Sequence, residues 1–571
     1  MDMDSVALGP AQALTQAAAL RPDDTAMTFV DYATDRAGVT SSFSYRELDQ
    51  GSAAVAASML ETVDRGSRVA ILCGHDVDYV IAFLGCLRAG MIAVPLFAPE
   101  PFRPQDRLVN VLADCDPEIV LTGTGHLETV QKLLTDLPGL PKEVLPVDVL
   151  RTVGIPAQGP LPALPDGDVV AYLQYTSGST RKPAGVQVLH RNLTVGAHQL
   201  AAAVEIGPSS RLVSWLPFFH DMGLMFSLAV SLATTTPVTC FSPLAFIQQP
   251  RRWLELLTTQ RATHTMSPNF GLDLCVDRVK GPRREGLDLS ALRVLGNGSE
   301  HVRPDTLARF TEAFEPFGFR HSAHCPGYGL AEATLVVTAD EVGKEPVVGV
   351  FDRAELSRGR VSVVEDDDPN GQRLVSAGRP VQQEVRIVTP ETGTDAPATG
   401  VGEIWVRGAN VCAGYWLQPE RSLETFVGSD DRDGWLRTGD LGFSLDGRLY
   451  VAGRLRDLII VDGRNHHPAD IEMTVEEASD GLRAGRVAAF ACEVDEREAL
   501  VVVAELAAPA STLDFDAVRR TVRAAVSERH EVRVHDIVLV RKGAVPVTSS
   551  GKLRRQECKS RYQRGEYQGA A

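Results

Sequence analysis

Disulfide and zinc-ligand patterns are missing from this chain. Its nine cysteines are scattered singly, in an odd number and with no C-x-x-C spacing, which excludes a disulfide framework and a cysteine-based zinc site. Reduced, buried thiols in a cytoplasmic protein are expected instead. There is no long apolar run either. The most hydrophobic stretch, Tyr79 to Ala98, is interrupted by Arg88 and broken by Gly85, Gly90 and Pro95, so no transmembrane segment is expected. Met1-Asp2-Met3-Asp4 opens the chain without the basic and apolar regions of a secretory signal. Positive charge is in deficit. With 57 Lys and Arg against 74 Asp and Glu the formal net charge is −17, which repels a nucleic-acid backbone or an anionic membrane at long range. Any anion that binds must be gripped by a few local cations.

Length and alternation are present in quantity. At 571 residues, 44% of them hydrophobic and 23% charged, the chain exceeds what one core can organise, and two or three domains are expected. Gly66 to Leu72 reads as a strand, Asp76 to Arg88 as a helix and Met91 to Val94 as a strand, and Pro104 to Cys115 with Glu118 to Thr122 repeats the unit. Strand, helix and strand in that order imply a parallel α/β sheet. A Pro/Gly/Ala-rich connector runs from Gly154 to Asp168. Residues 341–380 read as a long irregular segment with an acidic turn from Glu365 to Gly371, and Glu384 to Val388 and Gly402 to Val406 as strands of a small β-rich subdomain. The last stretch has strand patterns at Val487 to Glu493, Ala499 to Glu505 and Ile537 to Val540, with Phe515, Val518, Val522 and Val526 on one helix face.

Chemistry concentrates in the loops. Tyr175-Thr176-Ser177-Gly178-Ser179-Thr180-Arg181-Lys182-Pro183-Ala184-Gly185 follows the apolar run Val169 to Tyr175 and precedes a helical segment around Leu193 to Val204, which predicts a loop at the carboxyl end of a strand. Its small residues gather hydroxyls and unshielded N–H groups, Gly178 admits a ligand against the backbone, and Arg181 and Lys182 supply charge. These are the makings of a polyphosphate site, although no Gly-Lys-Ser/Thr closes it as a Walker loop. Leu212 to Pro217 runs into Phe218-Phe219-His220-Asp221-Met222-Gly223, Leu292 to Leu295 into Gly296-Asn297-Gly298-Ser299-Glu300, and Phe319 to Cys325 into Pro326-Gly327-Tyr328-Gly329-Leu330-Ala331-Glu332-Ala333-Thr334. Several such loops at one sheet edge would form a nucleotide crevice. Tyr328 suits stacking on a purine, and Glu332 is a hard oxygen ligand suited to Mg²⁺ on phosphates. Asp440, read as part of the glycine turn Thr438-Gly439-Asp440-Leu441-Gly442, has the chemistry to accept two ribose hydroxyls. Gly453-Arg454-Leu455-Arg456-Asp457 reads as a domain junction, and Lys552 follows a Ser549-Ser550-Gly551 loop that would let it reach another domain.

In this order and spacing the motifs resemble those of the adenylate-forming superfamily of acyl-CoA synthetases, peptide-synthetase adenylation domains and luciferases, from about residue 10 to residue 565. The wording is most similar to the fatty acyl-AMP ligases of actinobacterial lipid and polyketide assembly at Tyr172 to Thr180, Trp215 to Leu224, Tyr328 to Leu335 and Val461 to Pro468. The resemblance implies an α/β fold. A large amino-terminal domain of α/β subdomains plus a small β-rich subdomain, residues 1–455, would be followed by a small mobile α+β carboxyl-terminal domain, residues 456–571. It implies ATP and Mg²⁺ as cofactors, a fatty acid as substrate, and an acyl carrier protein or polyketide synthase carrier domain as acyl acceptor. It places Thr176, Ser177, Gly178, Ser179, Thr180 and Lys182 around the β/γ-phosphates, with Thr176 and Glu332 at the Mg²⁺. Gly298, Ser299, Glu300, Tyr328, Gly329 and Ala331 would line the nucleotide, and Asp440 and Arg454 would hold the ribose. His220 would lie beside the acyl carboxylate, Lys552 would bridge carboxylate and phosphate, and Arg456 and Asp457 would form the hinge. In that family an insertion, here near residues 341–380, restrains the carboxyl-terminal domain and disfavours thioester formation with free coenzyme A.

Two departures from the superfamily pattern carry expectations of their own. Pro183-Ala184-Gly185 stands where Pro-Lys-Gly is usual, which leaves Lys182 to substitute only in part. Ala331 stands where many members have Thr before the Glu, which leaves an α-phosphate hydrogen bond to another donor, with Thr334 the candidate. The tail from Arg541 to Arg564 holds eight Lys and Arg and one Glu, a basic patch suited to an acidic carrier. Two rival readings stay open here: a fatty acyl-CoA synthetase, and a non-catalytic acyl- or nucleotide-binding protein, the second opposed by the presence of both Glu332 and Lys552.

Overall fold

The computed structural model describes residues 7–99, 105–135, 137, 139, 143–153, 163–175, 183–427, 434–461, 464–494, 497–507, 513–548 and 552–567. The polyphosphate loop, Thr176 to Lys182, and most of the connector after Gly154 lie outside them. The amino-terminal α/β region is built on two sheets. The six-stranded one has the order Val144–Pro146, Ile119–Thr122, Arg68–Ile71, Ile92–Pro95, Val170–Tyr175 and Gly185–Leu189. All its pairings are parallel except the last. The crossover helix Val77–Ala89 begins where the Asp76 carboxylate accepts from the Asp78 N–H at 3.0 Å, and it stops at Gly90, whose φ of +71° suits a residue without a Cβ. Almost every side chain between is buried, so the helix is held from both sides.

The nine-stranded sheet runs Arg379–Pro380, Leu335–Ala339, His324–Leu330, Val294–Asn297, His264–Met266, Leu212–Ser214, Val238–Phe241, Thr25–Asp31 and Val39–Ser44. Its central strands are parallel and short, and their carboxyl ends deliver His220, Gly298 and Tyr328 to one edge. A β-rich layer follows, with Glu384–Val388, Gly402–Arg407, Trp435–Leu445 and Phe426–Val427 in sequence and Arg448–Arg454 paired to Trp435–Leu445. After Leu455–Asp457 a second hydrophobic core begins. It packs the helices Pro468–Glu477 and Phe515–His530 on the three-stranded sheet Leu482–Val494, Arg497–Leu506 and Val534–Val540, with Val518, Val522 and Val526 buried as their spacing predicts. All nine cysteines are buried and unpaired. No helix among the described residues is long and apolar enough to cross a membrane.

Gly185–Leu189 is a strand antiparallel to Val170–Tyr175, with Tyr175 opposite Gly185, and the helix expected around Leu193 to Val204 follows it as His190–Ala203. Three local expectations are corrected. The strand expected at Phe319 to Cys325 lies later, at His324–Leu330, because pairing with Leu335–Ala339 draws Tyr328 and Gly329 into the sheet. Asp440 sits inside the strand Trp435–Leu445, directly across from Arg454, and not in a turn. Residues 341–380 are ordered: Val348–Asp352 and Gly371–Val375 form a hairpin carrying the helix Arg353–Ser357, and Phe351, Leu356 and Leu374 share a core with Phe443 and Tyr450.

Candidate active site

A crevice of about 970 Å³ opens where the nine-stranded sheet, the β-rich layer and the last unit meet. Tight backbone contacts shape it. A Cβ on Gly298 would stand 2.8 Å from the Gly327 carbonyl oxygen, and one on Gly329 only 1.7 Å from that of Leu335, so both positions require glycine. Ser299 (φ +74°) and Leu335 (φ +95°) hold left-handed backbone in the crevice lining, the kind of strain that a surrounding site has to enforce.

Charged side chains are locked around this rim. The Tyr328 hydroxyl donates to Asp440 Oδ2 at 2.7 Å, while Arg454 Nε lies 3.0 Å from Asp440 Oδ1. The cross-strand register thus fixes a carboxylate between a phenol and a guanidinium. Asp440 raises the Arg454 pKa, and burial, with the Asp440 charge, pushes the Tyr328 phenol up so that it stays a donor. Glu332 follows on the short turn Ala331–Ala333, and its Oε1 accepts from the Tyr415 hydroxyl at 2.8 Å. Ala331 is buried and engaged through its carbonyl oxygen, which accepts from Cys412 Sγ at 3.4 Å.

Among the described residues no group of three His, Cys, Asp or Glu is placed to hold a metal. One carboxylate at the crevice wall, with the remaining ligands left to phosphate oxygens and water, is the donor set that Mg²⁺ takes beside a nucleotide, so Glu332 fits that ion. Tyr415 escaped the sequence reading because it lies 83 residues from its partner, and only the fold joins them. Tyr415→Phe removes the hydroxyl that orients Glu332, and a several-fold rise in the Mg²⁺ concentration needed for half-maximal activity is the expected result.

The opposite wall carries His220 and Asp221. His220 Nδ1 lies 2.7 Å from Asp221 Oδ1, and the Met222 N–H donates to Asp221 Oδ1 at 2.7 Å and to His220 Nδ1 at 3.3 Å, which fixes the imidazole with Nδ1 toward the carboxylate. Burial opposes ionisation of Asp221, but His220 and Lys552 outweigh it and hold the pKa at about 2. Lys552 therefore reaches this wall from the last unit. Its own pKa is lowered by burial, against the pull of Asp221, Glu300 and Asp440. The Lys552 backbone is closed into a small loop by its N–H to Thr548 Oγ1 at 3.0 Å and by Thr548 N–H to its carbonyl at 2.8 Å. Gly298, Ser299 and Glu300 line the same crevice, as does Tyr175 at the mouth of the undescribed loop. Leu200, Val204, Met266, Val302 and Val336 add an apolar part to the lining. At the junction, Arg456 Nε lies 3.9 Å from Asp457, which also receives Gln556 at 3.3 Å and Arg555 at 3.7 Å.

A family profile described as AMP-binding enzyme matches residues 14–416. The chain belongs to the AMP-binding enzymes. A second profile, described as Disco-interacting protein 2-like, AMP domain, matches residues 456–571. This AMP-binding enzyme is 40% identical to the long-chain-fatty-acid–AMP ligase FadD32 of Mycolicibacterium smegmatis, across 95% of this chain and 92% of that one. It is 39% identical to the presumed fatty-acid–CoA ligase fadD25 of Mycobacterium tuberculosis, across 97% of each. A solved structure from studies of fatty acyl-adenylate ligases from E. coli and L. pneumophila matches with a TM-score of 0.88 at 32% identity, covering 98% of both chains. Within the AMP-binding enzymes the chain falls with the fatty acyl-AMP ligases.

One expectation fails in this AMP-binding enzyme. Thr334 is buried and donates to the Asn410 carbonyl at 2.6 Å, away from the crevice lining, so it is no substitute for the Thr missing at position 331. In the basic tail, Arg554 and Arg561 share Glu557, Arg555 pairs with Glu472 at 2.6 Å and Arg564 with Glu566 at 2.5 Å, so three carboxylates meet four arginines. Lys552 turns into the crevice.

Proposed function

We propose that this enzyme joins a fatty carboxylate to the α-phosphorus of ATP, releasing pyrophosphate, and then passes the acyl group to the phosphopantetheine thiol of an acyl carrier protein or polyketide synthase carrier domain. The observation that carries the reading is the entry of Lys552, from the far end of the chain, into a crevice walled by His220, Asp221, Glu332 and Asp440. Two anions must meet there, so the rate gain comes from neutralising charge and aligning the reactants. Lys552 holds the carboxylate against the phosphate. Asp440, oriented by Tyr328 and Arg454, takes the ribose hydroxyls, and the Thr176 to Thr180 loop with Lys182 takes the β/γ-phosphates. Glu332, with Thr176, would hold Mg²⁺, which when bound spreads the phosphate charge. His220 borders the carboxylate, and the apolar lining receives the alkyl chain. The chain divides at residue 455 into a large domain and a mobile one of residues 456–571, with Arg456 and Asp457 at the hinge, and it works in the cytoplasm, where its thiols stay reduced.

Mass spectrometry on a mixture of fatty acids of different lengths, with ATP and Mg²⁺, is expected to show acyl adenylates of a preferred length and an equal release of pyrophosphate. Absence of both adenylate and pyrophosphate exchange would leave only the non-catalytic binding reading. The names of relatives such as fadD25 favour a second reading, fatty acyl-CoA synthesis. Supplying coenzyme A and a phosphopantetheinylated carrier in parallel separates the two, with the thioester expected on the carrier.

A further inference from the structure

The last unit meets the large one through a second charged contact, whose residues line another part of the same crevice. Arg303, after the Gly298–Glu300 loop, extends between two carboxylates. Its Nη2 lies 3.4 Å from Asp273 of the helix Asn269–Arg278, and its Nη1 lies 3.5 Å from Glu476, in the last turn of the helix Pro468–Glu477. The receiving notch is built for a guanidinium. Gly485 holds a left-handed φ of +68° at an irregularity in the strand Leu482–Val494, its N–H donates to Glu476 Oε1 at 2.7 Å, and a Cβ there would stand 3.4 Å from Arg303 Nη2. All three charged side chains are largely buried, at 22%, 18% and 14% exposure for Arg303, Asp273 and Glu476. As a carboxylate, Glu476 can enter that interface only with a cation beside it.

We propose that Arg303 is a positioning residue: by neutralising Glu476 as the helix Pro468–Glu477 is buried against the large domain, it holds Lys552 over the crevice for adenylate formation, and it is withdrawn for acyl transfer. The inference rests on the adenylate-forming reading. It is separate from the restraint expected of the insertion, whose Arg353 reaches a different carboxylate, Asp470, at 3.4 Å.

The charge balance sets the direction of a pH effect. Glu476 is faced by Arg303 and Asp273 from the large domain, by Glu472 on its own helix, and by Arg486 and the Gly485 N–H from the neighbouring strand. Burial, partly offset by Arg303, pushes its pKa up to about 7. A carboxyl raised on closure favours closure most at low pH, and that gain is lost as pH rises through about 7. Arg303 matters most above that point.

The test uses the full-length enzyme as Arg303→Met, Glu476→Gln and the double variant. Pyrophosphate exchange is measured at pH 6 and pH 8, alongside single-turnover transfer from preformed acyl adenylate to pantetheine. At pH 8, Arg303→Met is expected to lower the kcat of exchange at least about tenfold with KM for ATP little changed, while transfer to pantetheine is undiminished. The exchange defect should shrink at pH 6, and Glu476→Gln should restore the double variant to within about threefold of the unaltered enzyme by removing the stranded charge. Exchange by Arg303→Met within about twofold of normal would overturn the assignment, as would a double variant as impaired as the single one, which would mark a packing role. If the unaltered enzyme gave no exchange, the adenylate-forming reading itself would fall.

Discussion

Lys552→Ala is expected to lower ATP–pyrophosphate exchange by at least about a hundredfold, the scale of losing one electrostatic donor aimed at developing charge. The surroundings enlarge the effect. Asp221 is held ionised at a pKa of about 2, partly by Lys552, and Glu300, whose pKa burial raises, also feels that ammonium. Without it the incoming carboxylate meets two acidic neighbours that have lost their shared ammonium. Lys552→Arg should recover little, because a planar fork does not replace a point charge at the end of a flexible stem. Transfer of a preformed acyl adenylate to a thiol should be much less affected, since in that half-reaction the lysine is withdrawn. Exchange that survived Lys552→Ala intact would remove Lys552 from the chemistry.

What could be read before the fold was known follows from the range of each interaction. The parallel α/β order was legible because hydrophobic periodicity is local, and the helix Val77–Ala89 carries its own cap and stop in Asp76 and Gly90. Tyr328, Glu332 and Asp440 could be singled out as residue types in glycine-rich settings. Their geometry could not, because Asp440 lies 112 residues from Tyr328 and its orientation depends on strand pairing with Arg454. The same limit hid Tyr415, and the notch at Gly485 that accepts Arg303. In the tail from Arg541 to Arg564, counting eight basic residues against one acid leaves out Glu472, which sits 83 positions earlier and is the partner of Arg555. Likewise residues 341–380 looked irregular because their strands are short and their core is completed by Phe443 and Tyr450 from another layer.

Shortening the segment within residues 341–380 is expected to raise acyl-CoA formation. The helix Arg353–Ser357 stands between the large domain and the last unit, and Arg353 Nε lies 3.4 Å from Asp470, which in turn lies 3.5 Å from His530 Nδ1. Both Asp470 and His530 are buried, and burial pushes the first up to about 6 and the second down to about 3. Arg353 is thus the cation that lets Asp470 stay ionised at neutral pH, and a pair of this kind resists separation because parting it strands a charge. Asp352 and Gly371 face each other across the hairpin, so replacing residues 353–370 by an Asn-Gly turn closes it without disturbing the strand register. With the contact gone the last unit is freer to rotate and admit a thiol. Acyl-CoA formation should rise at least about tenfold while pyrophosphate exchange stays within about threefold, and Arg353→Met should move in the same direction by less. Thermal unfolding checks that Phe351 and Leu374 still pack on Tyr450. If exchange persisted and acyl-CoA did not rise, the insertion would have to be a passive decoration of the β-rich layer, and the block on coenzyme A would lie in the crevice itself.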